Sequence, residues 1–208
     1  MEFKDMLRSR ILEILNAWPV RDQYAIMFFL YPNECFTYGE YENLPEFDLL
    51  YRCESEIQPD GGSAFGATEA EQRWNPAYWD DDARQSVISF DEENPIADAL
   101  IDWYEATGVQ NIGEEDFDAA YDDEGSYIGT GPGGLPELLQ LVTEIAAELQ
   151  RDGVIEARFG RKLPILLADL EFTWYMVRAT RAANPNGEAD EYLRACVEEG
   201  FADKNMLQ

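Results

Sequence analysis

A chain of 208 residues with 43 Asp and Glu, 15 Lys and Arg and no histidine carries a net charge of −28. That length suits one ordinary domain, and that charge argues against binding nucleic acid or an anionic membrane, because phosphate contacts call for Lys and Arg. The 46% apolar and 13% aromatic residues can bury roughly 70% of the unfolded surface, so the charge does not imply a disordered chain.

The opening MEFKDMLRSRILEILNAW places Glu2, Asp5 and Glu13 among its apolar residues, unlike a secretory signal. Phe3, Met6, Leu7, Ile11, Ile14, Leu15 and Trp18 recur at helical spacing, predicting an amphipathic helix closed by Pro19. Residues 24–30 (YAIMFFL) form a short apolar run stopped by Pro32 and Asn33. That run predicts a buried strand and is far too short for the ~20 residues a membrane span needs. Residues 47–53 and 86–90 predict further strands, with a turn at Pro59-Asp60-Gly61-Gly62 between them. In Arg73-Trp74-Asn75-Pro76-Ala77-Tyr78-Trp79, Asn75 can cap a short helix that starts at Pro76.

Residues 96–106 predict a helix with Leu100, Ile101 and Tyr104 inward, ended by Gly108. The acidic, Gly-rich residues 108–134 predict a long loop. Leu135, Leu138, Leu139, Val142, Ile145 and Leu149 then mark a helix ending near Gly153. Residues 163–170 predict a strand, residues 172–183 a helix ended by Asn184-Pro185-Asn186-Gly187, and residues 188–199 a last helix. Without a regular βαβ rhythm, the expected fold is α+β: one domain over residues 1–208, with a mixed or antiparallel sheet and several packed helices. Its central part, about 54–134, is expected to be acidic and loop-rich.

The charge is concentrated there. Residues 1–53 hold 9 acids and 5 bases, residues 54–124 hold 21 and 2, and residues 125–208 hold 13 and 8. Chemistry is harder to find. Without histidine the chain lacks the commonest general base and metal ligand, and no Ser-His or Cys-His nucleophile can form. Cys35, Cys53 and Cys196 are odd in number and widely spaced, the pattern of free thiols in a reducing cytoplasm. Gly129-Thr130-Gly131-Pro132-Gly133-Gly134 precedes a helix, but Leu135-Pro136-Glu137 stands where a phosphate-binding loop needs Gly-Lys-Ser/Thr. A calcium loop begun at Asp116 fails at Ala120 and Tyr121, which occupy positions 5 and 6. No catalytic residue, cofactor or metal site is therefore expected.

What remains is a surface for a protein partner. Glu114, Glu115, Asp116, Asp118, Asp122, Asp123 and Glu124 alternate with Phe117, Tyr121 and Tyr127. Acids steer and pair with Lys or Arg, while aromatic side chains supply buried anchors. Asp80, Asp81 and Asp82 beside Tyr78 and Trp79 form a second candidate.

The segments Arg73-Trp74-Asn75-Pro76-Ala77-Tyr78-Trp79 and Asp152-Gly153-Val154-Ile155-Glu156-Ala157-Arg158-Phe159-Gly160, with the following apolar strand and a helix running into Asn184-Pro185, resemble an uncharacterised bacterial domain family. Members of that family occur among immunity proteins of polymorphic toxin systems. The resemblance covers most of the chain after residue 70 and brings no catalytic residues. It implies a cytoplasmic protein that binds and neutralises a cognate toxin; the acidic charge of the chain would complement a basic active-site surface on that toxin. The alternative from composition is a nucleic-acid-mimicking regulator of a basic DNA- or RNA-binding protein.

Overall fold

Eight successive residues of strand β1 (Gln23–Pro32), from Gln23 to Leu30, are buried, because this strand lies inside a sheet covered on both faces. A strand buried on both sides needs no polar alternation, and the run YAIMFFL has none. The computed structural model describes residues 2–34, 37–58, 67–79, 81–90, 94–170, 173–200 and 202. Within them the fold is α+β, built on a mixed four-stranded sheet of order β5-β4-β1-β6. Strand β4 (Pro45–Cys53) pairs antiparallel with β1, β5 (Gln85–Ile88) antiparallel with β4, and β6 (Ile165–Ala168) parallel with β1. A two-stranded hairpin, β2 (Thr37–Tyr38) and β3 (Tyr41–Glu42), was not evident from the sequence.

Alternate residues of β1 enter two cores. Ile26, Phe28 and Leu30 pack with Phe47, Leu49, Ile165 and Leu167 against helices α1 (Phe3–Ala17), α3 (Pro95–Thr107) and α5 (Leu135–Arg151). Met27 and Phe29 face Trp74, Trp79, Tyr192 and Cys196 on the other side, where α2 (Glu69–Trp74) and α8 (Asp190–Glu198) lie. The expected stripes are buried except at Met6, which is only partly so: Phe3, Leu7, Ile11, Ile14 and Leu15 in α1, and Leu135, Leu138, Leu139, Val142, Ile145 and Leu149 in α5.

Several elements differ from the sequence reading. The capping box Thr68-Glu69-Ala70-Glu71 opens α2, with the Thr68 hydroxyl accepting the Glu71 N–H at 3.1 Å. Asn75 does cap at Pro76, but the element it opens is a single 3₁₀ turn, Pro76–Tyr78. Strand β6 is shorter than residues 163–170: Pro164 contributes only a carbonyl, accepting the Ile26 N–H at 3.0 Å, and Asp169 closes it. Helix α6 (Val154–Phe159) stands between α5 and β6, set off by left-handed Gly153 and Gly160. Helix α7 (Trp174–Ala183) comes after β6, and Thr173 is its N-cap residue. The turn at residues 59–62 and Cys35 lie outside the described residues; Cys53 and Cys196 are free and buried.

Residues 108–134 are not a featureless loop. They contain the one-turn helix α4 (Phe117–Ala120) and bridges that join Ile112 to Gly133 and Tyr121 to Tyr127. Gly113 donates to the Gly133 carbonyl and Gly133 to that of Glu114, each at 2.9 Å, so the two ends of the segment are tied together. The buried Tyr104 hydroxyl of α3 donates to the Gly134 carbonyl at 2.7 Å, anchoring this tie to the core. A side chain at Gly133 would place its Cβ 2.2 Å from the Asn111 carbonyl oxygen, so only glycine allows this approach.

Candidate functional site

Strand β6 ends at Ala168, and the next residue, Asp169, sits beside Pro32 at the end of the parallel neighbour β1. Crevices beyond the carboxyl ends of parallel strands are where α/β sheets commonly hold ligands, because the connecting chains diverge there. Here the crevice is a cleft of about 250 Å³ between the end of β6 and the acidic segment that precedes α5.

Two carboxylates line it. Asp169 is buried, and its Oδ2 accepts the hydroxyls of Thr173 at 2.9 Å and Tyr175 at 3.1 Å. Glu115 is half-buried, and its Oε1 accepts the hydroxyl of Tyr127. That hydroxyl oxygen in turn accepts the Gly131 N–H at 2.7 Å. Burial raises both phenols, and the carboxylate beside each raises it further, so Tyr127 and Tyr175 act as fixed proton-bearing donors at neutral pH. Tyr121 packs edge-on against Tyr127, with ring centroids 5.4 Å apart. The lining is completed by Pro32, Gly131, Pro132, Leu135 and Leu170.

Above the cleft the acidic segment turns outward. Asp116 caps α4 through the N–H groups of Asp118 and Ala119, and Asp122 Oδ1 accepts those of Glu124 at 2.9 Å and Ser126 at 2.8 Å. These two carboxylates therefore shape the segment as well as charge it. Glu114, Asp118, Asp123 and Glu124 are exposed. Among the described residues, none of the seven acids from Glu114 to Glu124 forms an intramolecular ion pair. Apolar groups are exposed beside them. Of the five large hydrophobic residues exposed among the described residues, Phe117 (68%), Tyr121 (48%) and Ile128 (52%) belong to this segment and Leu170 (72%) to the cleft.

The second acidic candidate lies elsewhere. Asp81 and Asp82 belong to a 3₁₀ turn, Asp81–Ala83, that leads into β5, at the sheet edge opposite β6. Asp82 is exposed, while Asp80 and the side chain of Asp81 lie outside the described residues. The neighbouring cation there is already engaged: Arg84 pairs with buried Asp48 at 3.7 Å and lies over the Phe29 ring at 5.2 Å. The fold thus gathers Glu114, Glu115, Asp116, Asp118, Tyr121, Asp122, Asp123 and Glu124 on one segment and sets Asp82 apart from them.

Sequence reasoning missed Asp169, Leu170 and Tyr175, which complete the cleft. The available signal was an acid directly after an apolar strand, in LPILLADL. The Gly-rich residues 129–134 direct their N–H groups inside the protein: Gly131 to Tyr127, Gly133 to Glu114 and Gly134 to Glu137 at 3.0 Å. Among the described residues no group of three or more Cys, Asp or Glu side chains is placed to hold a metal ion, and no helix is long and apolar enough to cross a membrane.

The chain matches no protein-family model, no curated protein and no solved structure.

Proposed function

We propose that the protein is a cytoplasmic immunity-type inhibitor, which binds and neutralises a cognate bacterial toxin by covering a basic active-site surface. The observation that carries this reading is the coincidence of exposed apolar groups and unpaired acids on one segment and the cleft beside it. Phe117, Tyr121, Ile128 and Leu170 offer anchors that can be desolvated against a partner. On the same segment, Glu114, Asp116, Asp118, Asp122, Asp123 and Glu124 add negative charge that no Lys or Arg pairs with among the described residues. Apolar anchors within a charged rim are the anatomy of a specific protein interface, and uncompensated charge accelerates capture of an oppositely charged partner. Rapid capture is what protection of the producing cell demands.

The anchors also favour this reading over a nucleic-acid mimic, which needs charge spacing but no protruding aliphatic side chains. The resemblance to immunity proteins at residues 73–79 and 152–160 supports the same role. In this reading the protein does no chemistry of its own; it acts by occupancy.

The test is co-purification and calorimetry with the product of the adjacent gene, repeated with Asp122→Asn, Asp123→Asn and Glu124→Gln combined. Asparagine at 122 keeps the side-chain oxygen that shapes the turn, so the triple change alters charge and spares the fold. One-to-one binding at roughly nanomolar affinity, weakened at least about tenfold by the changes, is expected. A mimic would instead compete with nucleic acid for many unrelated basic proteins. No binding to the adjacent gene product, and no protection of cells that express it, would overturn the reading.

A further inference from the structure

We infer that the cleft between the acidic segment and the end of β6 receives one arginine side chain of the protein partner. The inference rests on the reading that this face binds a basic protein, and it names the group that enters.

Size is the first argument. At about 250 Å³ the cleft is smaller than the roughly 300–1,000 Å³ of sites for drug-sized ligands, and is scaled to one long side chain. Charge is the second. Glu115 and Asp169 both line the cleft, and among the described residues no Lys or Arg does. Shape and hydrogen bonding are the third. Tyr121, Tyr127 and Tyr175 line the cleft together with Pro132, so aromatic and apolar surface stands in the same cleft as the two carboxylates. A guanidinium is flat and weakly hydrated; its faces pack on aromatic rings while its edge donates to carboxylate oxygens. An ammonium is compact and strongly hydrated, and loses more on entering such a place.

The hydroxyl bonds already present suit this role. Tyr127 takes one of the roughly four acceptor positions of Glu115 and leaves the remainder for an incoming donor. Because the same tyrosine is held by the Gly131 N–H, and Tyr175 is held by Asp169, the walls are set before a ligand arrives. The site loses little ordering entropy on binding.

The experiment titrates three blocked tripeptides, with Arg, Lys or citrulline between glycines, into the full chain and follows backbone amide resonances by NMR. The expected result is saturable, millimolar binding of the arginine peptide with shifts concentrated at Tyr127, Gly131 and Leu170. Lysine should bind at least about threefold more weakly and the uncharged citrulline not at all. Glu115→Gln should weaken the arginine peptide at least about fivefold. Asp82→Asn, which removes an acid at the opposite edge of the sheet, should leave it within about twofold.

Equal binding of citrulline, equal shifts from lysine spread over the whole acidic surface, or no effect of Glu115→Gln would each overturn the inference. If the arginine peptide fails while the adjacent gene product still binds through the acidic segment, the inference falls and the proposed function stands. If the peptide binds as expected and no toxin does, the proposed function falls and the cleft remains a guanidinium site.

Discussion

Asn184 makes with Ile165 the pair of hydrogen bonds that a neighbouring strand would make: its Oδ1 accepts the Ile165 N–H at 3.0 Å, and its Nδ2 donates to the Ile165 carbonyl at 2.7 Å. One turn earlier, the Thr180 hydroxyl accepts the Leu167 N–H at 2.8 Å and donates to the Leu167 carbonyl at 3.1 Å. Strand β6 is the sheet's edge, and α7 supplies side chains in place of a fifth strand. An uncovered edge invites pairing with another chain, so this substitution both stabilises the strand and closes it.

Asn184→Ala should therefore be among the more damaging single changes in the protein. It strands the N–H and carbonyl of Ile165 and takes from the Gln150 amide one of two acceptors, since Nε2 donates to Asn184 Oδ1 at 2.9 Å and to the Leu163 carbonyl at 2.8 Å. A loss of about 3 kcal/mol is expected in urea unfolding, because buried polar groups are left unpaired. Light scattering should rise with concentration as the bare edge finds other chains. An unchanged urea midpoint would show that water replaces the side chain without penalty.

The exposed anchors should separate binding from stability. Phe117→Ala and Leu170→Ala remove side chains that are mostly in solvent, so thermal midpoints should move by no more than the equivalent of about 0.5 kcal/mol. Affinity for the partner should fall by about tenfold for each, chiefly through faster dissociation. Removing the acids at 122–124 should act mainly on association and flatten its salt dependence. Stopped-flow kinetics at two ionic strengths distinguishes the two classes.

Alkaline pH should unfold the protein in a defined window. Burial pushes the Cys53 thiol up to about 12 and that of Cys196 to about 11, and it raises the phenols of Tyr24, Tyr31, Tyr104, Tyr127, Tyr175 and Tyr192. The folded chain keeps protons on these groups at pH values where the unfolded chain has released them. Their contribution is thus complete below about pH 8.5, the ordinary thiol value, and is lost as pH rises toward the folded values. The urea midpoint should be flat from about pH 7 to 8 and fall steadily above about pH 9, with a shallower slope in Tyr104→Phe. A midpoint that rises between pH 9 and 11 would contradict the burial of these groups.

Gly133→Ala should loosen the acidic segment without unfolding the core. Its Cβ meets the Asn111 carbonyl oxygen at 2.2 Å and that of Gln110 at 2.5 Å, so the tie between residues 111–114 and 133 must open. A cost of about 1–3 kcal/mol is expected in unfolding, with faster amide exchange at Gly113 and Gly133 and weaker partner binding. Retention of slow exchange at both amides would argue that the backbone shifts as a unit instead.

The helices and the central strand were legible because one face or both faces of each must be apolar. Phe3, Leu7, Ile11 and Ile14 can share a face only in a helix, and YAIMFFL can be buried throughout only as an inner strand. The α+β class came from those elements. Pairing did not: β6 lies parallel to β1 after more than a hundred intervening residues, and nothing local to LPILLADL names that neighbour. Helix α2 carried a readable signal in Thr68 and Glu71, whereas the order inside residues 108–134 depends on Tyr104 and on contacts between glycine backbones. Half of the candidate site was visible as a charge run. The other half, Asp169 with Leu170 and Tyr175, becomes part of it only when the sheet brings the end of β6 beneath that run.

The shape of the acidic segment is held mainly by main-chain atoms: the carbonyls of Ala120, Gly133 and Gly134, the N–H groups of Gly113, Ile128 and Gly133, and the Tyr104 hydroxyl reaching up from α3. Of its outward residues only Asp116 and Asp122 take part, and asparagine could fill either place. The identities at 117, 118, 123 and 124 are therefore nearly free of the folding problem. A lineage could redraw them, exchanging charge for apolar surface or one aromatic for another, and still inherit an intact platform. Recognition can change here at the speed of surface substitution while the scaffold beneath stays as it is.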